Sequence, residues 1–317
     1  MLTHVIYLLT FLYCTFLYEV LWYYIHKGNF EMSLTRQLAK DTSPLSIYFK
    51  DNFSKLPELL RPDNLELAKC PTILPSDQRG YLWAEMGHMV EYLICLSVGV
   101  PLTELMPMKY LIAANSFTAK NLVKEITSAF KYPLDADNTS FAEQCKYLWV
   151  LAELEAGIRN EGKIKMKFVY PVVPLVMLND MKAIFKTSIK NNELLKGKYI
   201  YNPTFDLSIE VGGADADLIK VNSNKENMLI DIKTTKNPQV TLIWIYQLLG
   251  YVFLDKTNYY KMHDVGIYMP RQNVMLSWKV EDLILQGSTF ESVKVAKKEF
   301  GKAVESVRSS YIATLKI

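Results

Sequence analysis

Polar positions are rationed in the last third of this chain, and their spacing separates the elements. Residues 212–236, GGADADLIKVNSNKENMLIDIKTTK, hold two apolar runs around a polar turn. Ile219 and Val221 mark the first run and Met228-Leu229-Ile230 the second. Such runs predict a hairpin of two short strands in a buried sheet. Thr241–Asp255 follows with Leu242, Ile243, Trp244, Ile245, Leu248, Leu249, Val252, Phe253 and Leu254. A helix apolar all round is buried, so this one is expected to pack on the sheet. Val265–Met269 and Val274–Val280 read as strands joined by Pro270-Arg-Gln-Asn.

Upstream the rhythm is helical. Residues 79–98, 116–131 and 141–160 read as helices, the last with Ser140 as cap, Glu143 three residues on and Gly157 near its end. Residues 40–78 carry Ser43-Pro44, Arg61-Pro-Asp-Asn and Leu74-Pro-Ser-Asp, turn signals that predict an irregular region. Pro174 breaks the apolar stretch Pro171–Leu178, after which Asn179–Lys186 and Asn191–Lys196 continue helical. Tyr199–Glu210 leads into the sheet, and residues 288–312 form a terminal amphipathic helix. The order helix, hairpin, helix, strands is that of an α/β fold.

The polar residues left among these apolar runs carry the chemistry. Asp217 falls on the first hairpin strand, Asp231 and Lys233 on the second. Residues i and i+2 share a strand face, so Asp231 and Lys233 point together and Ile232 away. Asp215 shares the Asp217 face and is an auxiliary candidate. Two carboxylates beside a lysine make a cation-seeking pocket suited to metal-assisted phosphodiester hydrolysis. A solvated strand face is the alternative, but the apolar flanks argue against it, because unpaired buried charge is expensive. Gln247 and Tyr251 lie one turn apart on the apolar helix. A lone Gln there needs a partner, either the pocket or a neighbouring core group.

The ordered set Asp217-Leu-Ile, Asp231-Ile-Lys233-Thr and Gln247-Leu-Leu-Gly-Tyr251 resembles the RecB-type branch of the PD-(D/E)XK nuclease superfamily over residues 205–280. The resemblance implies a restriction-endonuclease-like core, a mixed central sheet flanked by helices, with a helical insertion at about residues 99–200. It implies Asp217, Asp231, Lys233 and Gln247 as catalytic residues and Tyr251 as auxiliary. It also implies a ligand from the first core helix, where Glu91 stands four residues after Gly87. RecB-type relatives carry His at that place, so Glu91 departs from the subgroup while staying within the wider superfamily. With Glu91, Asp217 and Asp231 as ligands, the expected cofactor is Mg²⁺, with Mn²⁺ as substitute. The expected substrate is DNA, and the alternative is a non-catalytic nucleic-acid-binding or assembly module on the same core.

Composition narrows this little further. The chain has 317 residues and a net charge of +3, which neither demands nor excludes nucleic acid. Basic runs at Lys163–Lys167, Lys186–Lys198 and Lys294–Lys302 suit either phosphate tracking or a solvated face. Cys14, Cys70, Cys95 and Cys145 lack paired metal-ligand spacing and suggest a reducing compartment. No Gly-x4-Gly-Lys-Ser/Thr motif occurs, so any translocation along DNA requires a partner ATPase or helicase.

Leu2–Ile25 is apolar and aromatic apart from residues such as His4 and Glu19. About 20 apolar residues span a bilayer. His26-Lys27 follow, which on the positive-inside rule leaves a membrane-anchored protein facing the cytoplasm. The other reading is that residues 1–31 are a mis-assigned start and residues 32–317 the whole nuclease domain. On both readings a protein starting at Met32 is expected to be soluble, monodisperse and cooperatively folded. Gel filtration and thermal melting check this, and aggregation or loss of the melting transition would make Leu2–Ile25 a core helix.

Overall fold

The computed structural model of the protein describes residues 33–159, 173–224 and 226–315. They fall into two compact units. A helical unit lies within residues 73–195, and a sheet unit takes its residues from 33–72 and 196–315.

The sheet unit opens with four short helices, α1 Leu34–Ala39, α2 Pro44–Asn52, α3 Leu56–Leu59 and α4 Arg61–Leu67. This corrects the irregular region expected between residues 40 and 78 as far as Leu67, while residues 68–78, with Leu74-Pro-Ser-Asp, are irregular as expected. Ser43-Pro44 and Arg61-Pro62 are helix starts. Ser43 accepts a hydrogen bond from Leu45 N and Pro44 takes the first turn of α2; Pro57 and Pro62 likewise sit in the first turns of α3 and α4. Proline suits that position because the first helical N–H groups have no intrahelical acceptor to lose.

Five strands follow in the sheet unit: β1 Lys198–Tyr201, β2 Leu218–Val221, β3 Asn227–Ile232, β4 Met262–Met269 and β5 Val274–Lys279. They pair in the order β1-β2-β3-β4-β5. Every pair is antiparallel except β3 with β4. That parallel pairing requires a crossover, which the helix Leu242–Leu254 supplies. The sheet is therefore mixed and flanked by helices, an α/β fold. Ile219, Leu229, Val265 and Ile267 share one core with Ile245, Leu248, Leu249 and Val252 of the crossover helix. Phe49 of α2 stacks on Tyr246 with ring centroids 4.8 Å apart, and Phe300 joins the same core.

The helical unit holds α5 Trp83–Ser97, α6 Met106–Ala114, α7 Phe117–Ala129, α8 Ser140–Arg159 and α9 Leu175–Ile184. A π-helical turn, Phe185–Ile189, extends α9. Tyr92 on α5 donates to buried Glu155 on α8, and Tyr81 donates to buried Asp180 on α9. Each phenol gives a buried carboxylate the hydrogen bond it requires. The crossover helix of the sheet unit is α10. The expected terminal helix 288–312 is instead α12 Val293–Leu315, preceded by α11 Val280–Gly287. Ser288, with extended backbone, ends α11, and Ser292 accepts from Val295 N to open α12.

Among the described residues no helix is long and apolar enough to cross a membrane. The reading of Leu2–Ile25 lies outside the described residues, as does the basic run 163–167.

Gly266 lies in the middle of β4, opposite Ile230 of β3 and Ser277 of β5. A Cβ there would stand 2.9 Å from the Leu276 carbonyl oxygen, a backbone atom that cannot swing aside. Gly266→Ala is expected to destabilise the sheet unit by roughly 1–3 kcal/mol through overpacking, read by denaturant unfolding.

Candidate active site

The site grows from the open end of the β2–β3 hairpin. Gly212 and Gly213 adopt positive φ of 80° and 120°, turning the chain into the segment that leads to β2. Asp215 forms an isolated bridge with Thr204. Asp217 comes just before β2, and its carbonyl accepts from Asn202 N at 3.1 Å. Leu218 pairs with Ile230, so one step further the register sets Asp217 opposite Asp231. Residues directly opposite in an antiparallel pair share a face. The Asp217 carboxylate reaches across the pair, and its Oδ2 accepts from Ile232 N at 2.6 Å.

Asp231 is 2% exposed. Its Oδ2 makes no hydrogen bond, yet Lys233 Nζ stands 2.6 Å away. The ammonium reaches that oxygen off the hydrogen-bonding direction, so the contact is an ion pair without directional bonding. Lys233, expected on the second strand, lies one residue past the end of β3, and its ammonium still meets Asp231 as expected. Lys233 Nζ also donates to Gln247 Oε1 at 3.3 Å and lies 5.9 Å from the centroid of the Trp244 ring. Gln247 Nε2 donates to Tyr251 OH at 2.8 Å and to Thr35 Oγ1 at 3.3 Å. Tyr251 is buried, and its phenol pKa lies well above the ordinary value. Desolvation is the main cause, followed by the negative charge of Asp231; Asp217 and Asp215 add to it. The phenol therefore remains neutral through the working pH range.

The structure brings together Asp217, Asp231, Lys233, Gln247 and Tyr251, with Asp215 near enough to act on Tyr251 electrostatically. Glu91 belongs to α5 of the helical unit, where His88 Nδ1 is 3.7 Å from its Oε2. Among the described residues no three His, Cys, Asp or Glu side chains form a ready metal cage. Magnesium seldom needs one, since it uses one or two carboxylates and fills its octahedron with water and phosphate oxygens. Asp217 and Asp231, which the register sets opposite one another, fit such a two-carboxylate site.

Three residues that sequence reasoning passed over shape this site. Thr35 of α1 contacts Gln247 across 212 positions of sequence. Asn64 of α4 grips both backbone groups of Val240: its Oδ1 accepts from Val240 N at 2.7 Å and its Nδ2 donates to Val240 O at 3.2 Å. Gln272, in the β4–β5 turn, donates to Thr235 O at 3.2 Å and Thr72 Oγ1 at 3.2 Å. Together Asn64 and Gln272 pin the segment that runs from Lys233 to α10. Asn64 sits in the Arg61-Pro-Asp-Asn run that reads as a turn, and no local signal joins it to Val240.

Asn64→Ala is expected to lower the unfolding free energy by about 1–3 kcal/mol, because Val240 N–H and C=O lose their partners together. Asn64→Asp keeps the acceptor and should lose less; equal stability of Asn64→Ala and wild type in urea titration would refute the clamp. No family model, curated protein or solved structure matches this chain.

Proposed function

We propose that the chain is a metal-dependent nuclease that hydrolyses phosphodiester bonds of DNA on a restriction-endonuclease-like core of the RecB type. The observation that carries this reading is the meeting of Asp217, Asp231 and Lys233 on one sheet face, under Gln247 and Tyr251 of α10. The strand order, with one parallel pair bridged by α10, supports it.

The charges fit a phosphodiester. Two carboxylates and one ammonium leave the cluster one positive charge short of neutral. With a divalent cation held there, the cluster would be net positive and would attract phosphate. Mg²⁺, with Mn²⁺ as substitute, would supply a Lewis acid and a water of lowered pKa. Asp217 and Asp231 would hold it. Lys233, beside Asp231, positions the attacking water and offsets negative charge as it develops on the phosphate. Gln247 presents its carbonyl to Lys233 and so fixes the ammonium. Tyr251 stays neutral and anchors the amide. Asp215 is an auxiliary acid in this scheme. Glu91 as a ligand rests on the sequence resemblance alone.

Of the basic runs, Lys186 pairs with Asp137, Lys190 with Asp135 at 3.0 Å and Lys302 with Glu299 at 2.7 Å. These three lysines are surface ion pairs, and the proposal for a nucleic-acid substrate rests on the site itself. A partner ATPase or helicase remains part of the proposal for any processive action.

Asp231→Asn and Lys233→Gln keep side-chain size and are expected to abolish Mg²⁺-dependent cleavage of plasmid and single-stranded DNA. Asp231→Asn should also remove Mn²⁺ binding in calorimetry, with melting within a few degrees of wild type. Wild-type protein that cuts neither DNA nor RNA with either metal would sink the enzyme. DNA binding undiminished by chelator would then favour the binding module.

A further inference from the structure

The geometry points to Thr35 as a positioning residue of this site, holding the Gln247 amide in the one orientation that serves Lys233. The inference deepens the nuclease reading and takes its catalytic meaning from it.

The backbone around Thr35 is fixed from both sides. Leu34 N donates to Gly213 O at 3.0 Å, tying α1 to the turn that leads to Asp217. Leu34 and Leu38 are buried, and Ser33 accepts from Arg36 N at 3.3 Å to cap the helix. A Cβ on Gly250 would stand 3.0 Å from Leu34 Cδ2, so α1 lies flush on α10. Gly250 follows Gln247 by three residues, on the same helix face. The close approach at Gly250 therefore delivers the Thr35 hydroxyl to Gln247 Nε2 at 3.3 Å.

Lys233 settles which way the amide faces, and the two hydroxyls then hold it there. A glutamine amide is nearly symmetric in shape, and either end can enter the site. Lysine is only a donor, so the carbonyl end must face Lys233 and the NH₂ end must find acceptors. The NH₂ group has two protons, and two hydroxyls receive it: Tyr251 at 2.8 Å and Thr35 at 3.3 Å. Tyr251 alone satisfies one proton. With Thr35 present, both are satisfied in the productive orientation. A flipped amide turns its NH₂ protons on the ammonium and leaves Lys233 without that acceptor. Thr35 is solvent-exposed and water can partly replace its hydroxyl, so the effect is graded rather than absolute.

Thr35→Val removes the hydroxyl and keeps the shape, while Thr35→Ser keeps the hydroxyl. Thr35→Val is expected to lower kcat for Mg²⁺-dependent DNA cleavage roughly five- to tenfold with KM unchanged, as the loss of one modest hydrogen bond dictates. Thr35→Ser should recover most of it. A second readout needs no activity: the side-chain amide cross-peaks of Gln247 in ¹H–¹⁵N spectra, assigned with Gln247→Glu. They should move in Thr35→Val and hold in Thr35→Ser. If both cross-peaks and kcat of Thr35→Val match wild type, Thr35 does not position Gln247. If wild type cleaves nothing yet the cross-peaks shift only in Thr35→Val, the nuclease reading fails and the positioning role stands. If Thr35→Ser behaves like Thr35→Val, the hydroxyl is not the cause and the inference is overturned.

Discussion

A carboxylate at the end of β3 that is 2% exposed sets the terms for everything around it. Removing a charge from water costs several kcal/mol unless a counter-charge and hydrogen bonds replace the lost hydration. Lys233 supplies the counter-charge for Asp231 two residues on. The ammonium then needs acceptors of its own, and α10 presents Gln247. The amide in turn needs acceptors, which Tyr251 and Thr35 provide. Each group is placed by the requirement of the one before it. The chain of contacts ends at the exposed Thr35 hydroxyl, where solvent takes over.

This arrangement stabilises the fold only weakly for the trouble it causes. Apolar residues of the same volume at 231 and 233 would bury more simply, since isolated buried ion pairs rarely beat hydrophobic replacements. Asp217 makes the same point, spending a charged oxygen on the Ile232 amide. Two carboxylates brought face to face repel one another unless a cation is shared between them. The economical explanation for keeping such a cluster is chemistry, which is the physical ground for reading the hairpin end as a site.

The local part of this was legible in the sequence. Alternation along a strand put Asp231 and Lys233 on one face, and the apolar run Leu242–Leu254 marked a buried helix with Gln247 and Tyr251 one turn apart. Both rest on short-range periodicity, which residues carry themselves. The helices between Pro44 and Leu67 were illegible because Ser-Pro and Arg-Pro open a helix or a turn equally well, and only packing decides. Leu45, Phe49 and Phe53 are buried in the core shared with α10, which turns Ser43-Pro44 into a helix start. The helix Val280–Gly287 was missed because it follows β5 without an intervening loop, so its first residue reads as the end of the strand. Thr35, Asn64 and Gln272 were illegible altogether. Their partners are distant in sequence, and a Thr, an Asn or a Gln on a polar surface looks the same whether or not another element arrives to meet it.

The four short helices at the start of the sheet unit gain a purpose from this. Two of their polar residues, Thr35 and Asn64, bond to the segment that joins β3 to the middle of α10, at its end on Gln247 and part-way along at Val240. Leu34 N bonds to Gly213 O on the strand side. The catalytic candidates cluster at the ends of β2 and β3 and on α10, and α1 and α4 help fix the relative placement of those elements. A strand and a helix joined by a nine-residue stretch from Lys233 to Thr241 have many relative positions open to them, and an ion pair at 2.6 Å tolerates few. Hydrogen bonds from an outside element restrict that freedom. The geometry of the carboxylates and the lysine is thus a property of the whole sheet unit rather than of the motif that announces it.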